Sequence, residues 1–345
     1  MMKLYIQSAS AISPQHTFGD VPLLAETIVY DMPRLAAIEP DYRPFLDPKL
    51  SRRMSRVIKM GVAAARDCLQ QAGLVLPDAI ITGTAYGCVE DTNVFLTRII
   101  EQEEEMLPPT AFIQSTHNTV AAQIALMLQC HAYNNTFVHK TFSFESALMD
   151  AAMLFTEQEA STILVGGIDE ITDANYTIFN RFDTYKKGAF TSTDLYQSNT
   201  PGTIAGEGAA FFVLTNEPSA KNIAGLDAFQ TFYKPIDIQQ AIVDFLTAQS
   251  VQLSAIDLII SGKNGDAETD KPLDQLENGL FKNNRITHYK HLCGEYPTAS
   301  SFALWMATNV VKNGSFINDN APVKKVLICT HYQNKYWSLM LVSAC

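Results

Sequence analysis

A serine at the point where a strand pattern gives way to a helix pattern is the first place where residue type and spacing could do chemistry. The stretch Thr136 to Phe155 reads T-F-V-H-K-T-F-S-F-E-S-A-L-M-D-A-A-M-L-F. Its first half alternates with strand period, and Phe137, Thr141 and Phe142 bound a short β-rich run. Its second half changes period, placing Ala147, Leu148, Ala151, Leu154 and Phe155 on one helical face. Ser143 sits at the switch, where a helix start presents unpaired N–H groups and a partial positive charge. A hydroxyl placed there can serve as a nucleophile or simply as an N-cap, a role Ser146 could fill equally well.

Other reactive residue types give less. Cys68, Cys88, Cys130, Cys293, Cys329 and Cys345 are scattered without CxxC spacing, mostly in apolar contexts. That pattern points to reduced core thiols in a cytoplasmic protein and away from disulfides or zinc. The seven histidines show no ligand spacing; His288 and His291 are the nearest pair and read as solvated loop residues. Gly206-Glu207-Gly208 lacks the G-x-G-x-x-G spacing and leads into a strand. Close backbone packing is its expected role, and no cofactor or metal is expected.

Composition narrows the function class. The chain has 345 residues, 47% of them hydrophobic and 18% charged, so a large core and a buried subunit interface are both expected. A net charge of −11 argues against nucleic acid or an anionic membrane as partner. The first residues read as a strand, and no apolar run is long enough to span a bilayer.

The elements that must position these residues follow from periodicity. Residues 1–50 read as an edge strand followed by irregular connections. Ser51 to Gly73 reads as a long helix with Met54, Val57, Ile58, Ala64, Ala65, Cys68, Leu69 and Ala72 inward, and Gly73 as its stop. Ala79 to Thr84 is a buried strand, Asp91 to Met106 a helix, Asn118 to Cys130 another helix, and Ser161 to Gly167 a strand. Thr172 to Ser198 looks like a surface excursion, and Gly202 to Thr215 a turn running into a strand. A second half begins near Ala220. It has helices at 236–250, 272–283 and 297–311, strands at 258–261 and 285–289, and a closing strand pair at 326–330 and 336–342. Ile80-Ile81-Thr82-Gly83 and Ile259-Ile260-Ser261-Gly262 look like equivalent strands, so the expected units are 1–219 and 220–345, packed as one body.

Four stretches taken in order resemble the β-ketoacyl synthases of the thiolase superfamily. They are the strand–elbow–helix at Lys140–Ala152, the Gly206-Glu207-Gly208-Ala209 turn, the Ser261–Lys271 loop, and the Lys290–Ser301 loop and helix. Asn118-Thr119-Val120-Ala121-Ala122 is similar to the family's helix start ahead of the nucleophile strand. The resemblance implies an α/β, five-layered αβαβα thiolase-like fold with duplicated halves, mixed mostly parallel sheets and an obligate dimer. It also implies a Cys thiolate at the elbow that accepts the acyl group and two His residues that promote decarboxylation and stabilise oxyanions.

This sequence departs at each of those positions. Ser143 stands at the elbow; Asn264 takes the first His position, or Lys263 if the register slips by one; Glu295 takes the second, while Lys290 is kept. The family's glycine-rich C-terminal loop is matched by His331-Tyr332-Gln333-Asn334-Lys335-Tyr336, with no glycine. A Ser without an imidazole partner is a poor nucleophile, and a Glu carboxylate would repel a developing enolate. The resemblance is therefore to non-condensing members, the chain length factors that pair with an active ketosynthase in type II polyketide and aryl-polyene pathways. In that reading the partner is a ketosynthase subunit in a heterodimer, acyl carrier protein is engaged indirectly, and Phe95, Leu96 and Ile99 form the acyl tunnel floor. The alternatives are a divergent synthase or acyltransferase using Ser143 with Lys263 or Glu295 as base, a malonyl decarboxylase with Asn264 as oxyanion donor, and a homodimeric scaffold or acyl-binding module.

Overall fold

The computed structural model describes residues 2–19, 21, 23–24, 26–188, 191–316 and 319–345. The first half of the chain supplies strands β1 (Leu4–Ile12), β2 (Ala79–Gly83), β3 (Tyr133–Phe137), β4 (Thr162–Asp169) and β5 (Gly208–Thr215). Its helices are α1 (Pro48–Ser51), α2 (Arg56–Ala72), α3 (Val89–Glu101), α4 (Pro109–Gln114), α5 (Thr119–Leu128), α6 (Ser143–Thr156) and α7 (Asp173–Asn180). The second half supplies strands β6 (Ala224–Tyr233), β7 (Leu258–Ser261) and β8 (Ile286–His288), with helices α8 (Ile238–Ala248), α9 (Lys271–Asn278), α10 (Lys290–Cys293) and α11 (Ser300–Asn313). A small pair, β9 (Ser315–Phe316) and β10 (Asp319–Pro322), precedes the long hairpin of β11 (Lys325–Tyr332) and β12 (Tyr336–Ser343).

The strand order across the large sheet is β3-β2-β4-β5-β1-β6-β12-β11-β7-β8, which reads as one arrangement and its mirror about the β1–β6 contact. In each half the two outer pairings are parallel and the two inner ones antiparallel, so only β5 and β12 oppose the other strands of their half. The strands β2 and β7, each ending in a glycine-bearing turn, occupy equivalent places in this order.

Burial sorts the helices into layers. α6 and α11 share one core with the inward faces of both half-sheets, through residues such as Phe144, Leu148, Phe302 and Met306. α2 and α5 cover the far side of the first half-sheet, where Ile58, Val62, Val120 and Ile124 meet Ile80, Leu164 and Phe211. α8 and α9 cover the far side of the second, where Ile242, Leu246 and Leu276 meet Ile259, Leu327 and Leu339. Both faces of the central strands are therefore apolar, giving α–β–α–β–α layering from near-continuous hydrophobic runs. α2 stops as its sequence requires: Gly73 adopts φ +66° and its N–H closes on the last turn.

Several elements differ from their sequence-based expectation. β1 is a central strand between β5 and β6, not an edge. The strand before the elbow ends at Phe137, and Lys140–Phe142 form a 3₁₀ turn, because β3 is the polar run Tyr-Asn-Asn-Thr-Phe four residues earlier. α3 stops at Glu101, short of Met106. The 172–198 segment carries α7, started by a capping box between Thr172 and Asn175; Ala189 and Phe190 lie outside the described residues. β6, absent from the sequence reading, joins the two halves through β1.

Candidate functional site

At the elbow, α6 begins directly over the end of β2. A Cβ on Gly83 would lie 2.4 Å from the backbone of Ser143, so only glycine lets the helix start this close to the sheet. Lys140 takes a left-handed backbone, φ +47°, and turns its carbonyl toward the serine. Ser143 Oγ donates to that carbonyl at 2.6 Å and accepts from the His139 N–H at 2.8 Å. The side chain is 0% exposed, so its hydroxyl acts as a local brace for the turn.

A second locus forms where the 264–270 loop meets the 290–296 loop. Asn264 Nδ2 donates to Glu295 Oε2 at 3.0 Å, and Asn264 Oδ1 accepts from the Asp266 N–H at 3.0 Å. The other Glu295 oxygen is in direct contact with the Lys290 ammonium. All three side chains are buried. Burial by itself would lower the Lys290 pKa, but the adjoining Glu295 carboxylate raises it above the ordinary lysine value, so the lysine stays charged.

The Gly206-Glu207-Gly208 turn sets this locus. Gly206 and Gly294 pack backbone to backbone, a Cβ on Gly206 falling 2.0 Å from the Cys293 carbonyl. Their contact lets Glu295 N–H donate to the Ile204 carbonyl and Gly206 N–H to the Glu295 carbonyl. Glu207 is itself structural: its carboxylate accepts from Ala37 N–H and Ile171 N–H and pairs with Arg56 at 2.6 Å. The close-packing role read for this turn is what the backbone shows.

Asn264 and Glu295 form part of the wall of a cleft of about 460 Å³. Its other walls are aromatic, from Tyr86, Phe179, Phe182, Tyr185 and Tyr332, with Thr184, Thr203, Asp266, Thr269, Gln333 and Lys335 completing it. Tyr86 and Tyr332 both stand on this wall. Burial pushes all three tyrosine phenols up, Tyr332 to about 12 with the Glu295 charge adding to the effect, so at neutral pH they are uncharged. These aromatic residues come from widely separated segments, and the sequence reading missed them. The signal available was weak: Tyr86 follows a strand end, and Tyr332 sits where the family loop has glycine.

The remaining sequence-derived residues fall elsewhere. Lys263 is ion-paired with Asp274 at 2.5 Å and Glu277 at 3.7 Å, which, against the opposing effect of burial, raises its pKa; it is not on the cleft wall. Of the two possible registers, Asn264 is the residue presented to the cleft. Ser143 is also not on the cleft wall. On α3, Leu96 is exposed while Phe95 and Ile99 are half-buried, Phe95 packing on Phe112 with ring centroids 5.4 Å apart. His288 and His291 are half-buried: both flank the half-buried Tyr196 ring, and burial lowers His291 to about 4. All six cysteines are free thiols. Among the described residues no cluster of His, Cys, Asp or Glu has the makings of a metal site, and no helix is long and apolar enough to cross a membrane.

Comparison with known proteins sets these loci beside a known family. Residues 32–192 match the family model described as the β-ketoacyl synthase N-terminal domain, just under half of the chain. Among curated proteins the chain is 23% identical over 193 residues to 3-oxoacyl-[acyl-carrier-protein] synthase 2 from Synechocystis. That match covers 52% of the chain and only 46%, less than half, of the curated relative's length. Among solved structures the fold is similar to the ishigamide ketosynthase/chain length factor, with a TM-score of 0.81, 16% identity, and coverage of 100% of this chain and 99% of the other. It is also similar to a ketosynthase in complex with its chain length factor from Xenorhabdus doucetiae, with a TM-score of 0.79, 14% identity, and coverage of 100% and 98%. The thiolase-like ketosynthase fold expected from sequence is thus the fold of this chain.

Proposed function

We propose that this chain is a non-condensing, chain-length-factor-like subunit that pairs with an active ketosynthase in type II fatty acid, polyketide or aryl-polyene-type biosynthesis in the cytoplasm. The observation that carries this reading is the closed Asn264–Glu295–Lys290 network. A condensing site needs neutral donors poised for an enolate, whereas here a carboxylate occupies that ground, neutralised by a buried lysine and hydrogen-bonded to an amide. Neither residue presented by the two loops is an imidazole, and the elbow hydroxyl is committed to the backbone. Such a network supports shape and cohesion better than bond formation.

Pairing is supported by the first half-sheet's free edge. β3 is the terminal strand of the order, and exposed apolar side chains lie on it and beside it: Tyr133 on the strand, Val138 just past its end and Leu126 on α5. An unpaired strand edge with an apolar rim is a template for another chain. The α3–α4 face adds exposed Leu96, Ile100, Phe112 and Ile113, which would reach the partner's acyl tunnel and set its depth, with Phe95 and Ile99 behind them. Two of the similar solved structures are named as a ketosynthase together with a chain length factor.

The test is co-expression of the chain with candidate ketosynthase subunits, followed by purification and assay with malonyl-loaded acyl carrier protein. A stable one-to-one complex that elongates, from a chain that does not elongate alone, is the expected result. Robust elongation by the isolated chain would overturn the proposal.

A further inference from the structure

The tip of the β11–β12 hairpin touches both the cleft and the elbow. The two strands stay in register from Lys325 opposite Ser343 to Tyr332 opposite Tyr336, so pairing runs right up to the tip. The tip is fixed at several points. Gln333 and Asn334 take left-handed backbone, Asn334 N–H donates to His331 Nδ1 at 3.2 Å, and Lys234 N–H donates to the Lys335 carbonyl at 2.6 Å. Tyr332 forms part of the cleft wall, as does Tyr86. Four residues on, Tyr336 stands edge-on to Phe142, the residue immediately before Ser143, at 5.2 Å between centroids and 78° between planes. On its other side Tyr336 meets Tyr233 at 5.1 Å. Tyr332 and Tyr336 are direct partners in the ladder, so the tip presents from one face a ring that lines the cleft and, beside it, a ring that packs on the elbow.

We infer that Tyr332 and Tyr336 form a fixed aromatic seal that closes the inner end of the cleft and keeps any occupant away from Ser143. A glycine-rich tip could move aside; a paired hairpin carrying two packed tyrosines cannot do so without losing ladder bonds and ring contacts. The cleft is then a blind site for a short, uncharged group, with phenolic O–H groups as its donors and no passage for an extended chain. The inference holds whether or not the chain pairs with a ketosynthase, because it concerns a barrier internal to the subunit.

The experiment places a reporter behind the seal. Ser143→Cys protein is treated with iodoacetamide, and alkylation at each cysteine is followed by peptide mass spectrometry. Cys345 is exposed and serves as the reactive control, while buried Cys68, Cys88, Cys293 and Cys329 report on global folding. Position 143 should stay unmodified while Cys345 reacts. Adding Tyr332→Ala and Tyr336→Ala should speed alkylation at 143 by about tenfold or more with the four buried thiols still protected. Should the alanine variants expose all the core thiols together, Tyr332→Leu and Tyr336→Leu keep apolar bulk and carry the same comparison. Alkylation of 143 as fast as Cys345 with both tyrosines in place would overturn the seal. So would protection of 143 that persists when the tyrosines are removed from a folded chain.

Discussion

Lys290 and Glu295 lie in direct contact beneath the cleft, only 2% and 6% exposed, and the second carboxylate oxygen is taken by Asn264. A buried pair of this kind is worth little in net stability against an apolar replacement, yet costs a great deal when halved. Lys290→Met should therefore destabilise the chain by about 3–5 kcal/mol, whereas Lys290→Met with Glu295→Leu should recover most of that loss. Urea unfolding of the two single variants and the double variant reads the coupling directly. Equal losses in the single and double variants would mean the pair is not what holds the loops.

The backbone contact between Gly206 and Gly294 predicts intolerance of the smallest side chain. A Cβ on Gly206 would sit 2.0 Å from a carbonyl oxygen that cannot swing away. Gly206→Ala should cost about 1–3 kcal/mol or more by overpacking. It should also displace the Glu295 loop, seen as lost protection of the Glu295 amide in hydrogen exchange. Gly73→Ala, by contrast, meets no neighbouring atom and should cost only the left-handed backbone strain, about 1 kcal/mol.

Glu145 predicts a pH dependence with a definite sign. Its carboxyl is buried beside Ser300 and Ser338; burial pushes its pKa up to about 7, with the Lys290 charge opposing. A folded-state value above the unfolded one means the neutral form stabilises the fold at low pH. That contribution is lost as pH rises from the unfolded value through about 7. Glu145→Gln keeps the shape and cannot ionise, so it should be more stable than the parent above neutrality, by on the order of 2–3 kcal/mol, and nearly equal to it near pH 4. Denaturant midpoints across that range test it. Glu170, also raised to about 7 by burial, should leave a residual slope of the same sign in the variant.

The sequence made legible those parts whose local pattern and final role coincide. α2 declares itself by its apolar stripe and its Gly73 stop, and β2 and β7 by continuous apolar runs ending in small residues. Strand order carries no local signal, so β1 read as an edge although it lies at the centre of the sheet. β3 was misplaced because Asn134 and Asn135 are weak strand formers. β6 was missed because Gly225 and Asp227 break its apolar alternation, yet its backbone bridges the halves. At the site, ordered motifs led to Asn264, Glu295 and Lys290, since loops after strands carry chemistry in such sheets. The aromatic wall was hidden because Tyr86, Tyr185 and Tyr332 meet only in three dimensions, and Ser143's commitment to Lys140 depends on a backbone angle no residue pattern encodes.

The free edge of β3 yields the prediction that bears most directly on pairing. Leu126, on α5, and Val138, just past the end of β3, are 66% and 48% exposed beside that edge. In the isolated chain an aspartate at either position would face water and should change the melting temperature little. Across an interface the same carboxylate would be buried without a partner, so each substitution should weaken binding to a ketosynthase subunit by about tenfold or more, roughly 1.4 kcal/mol or above. Val243→Asp, on α8 and remote from β3 in the strand order, should leave binding unchanged. Titration calorimetry with the co-purifying partner measures all three. If Leu126→Asp and Val138→Asp bind as the parent does, the pairing surface lies elsewhere, and the strand edge is closed by some other means.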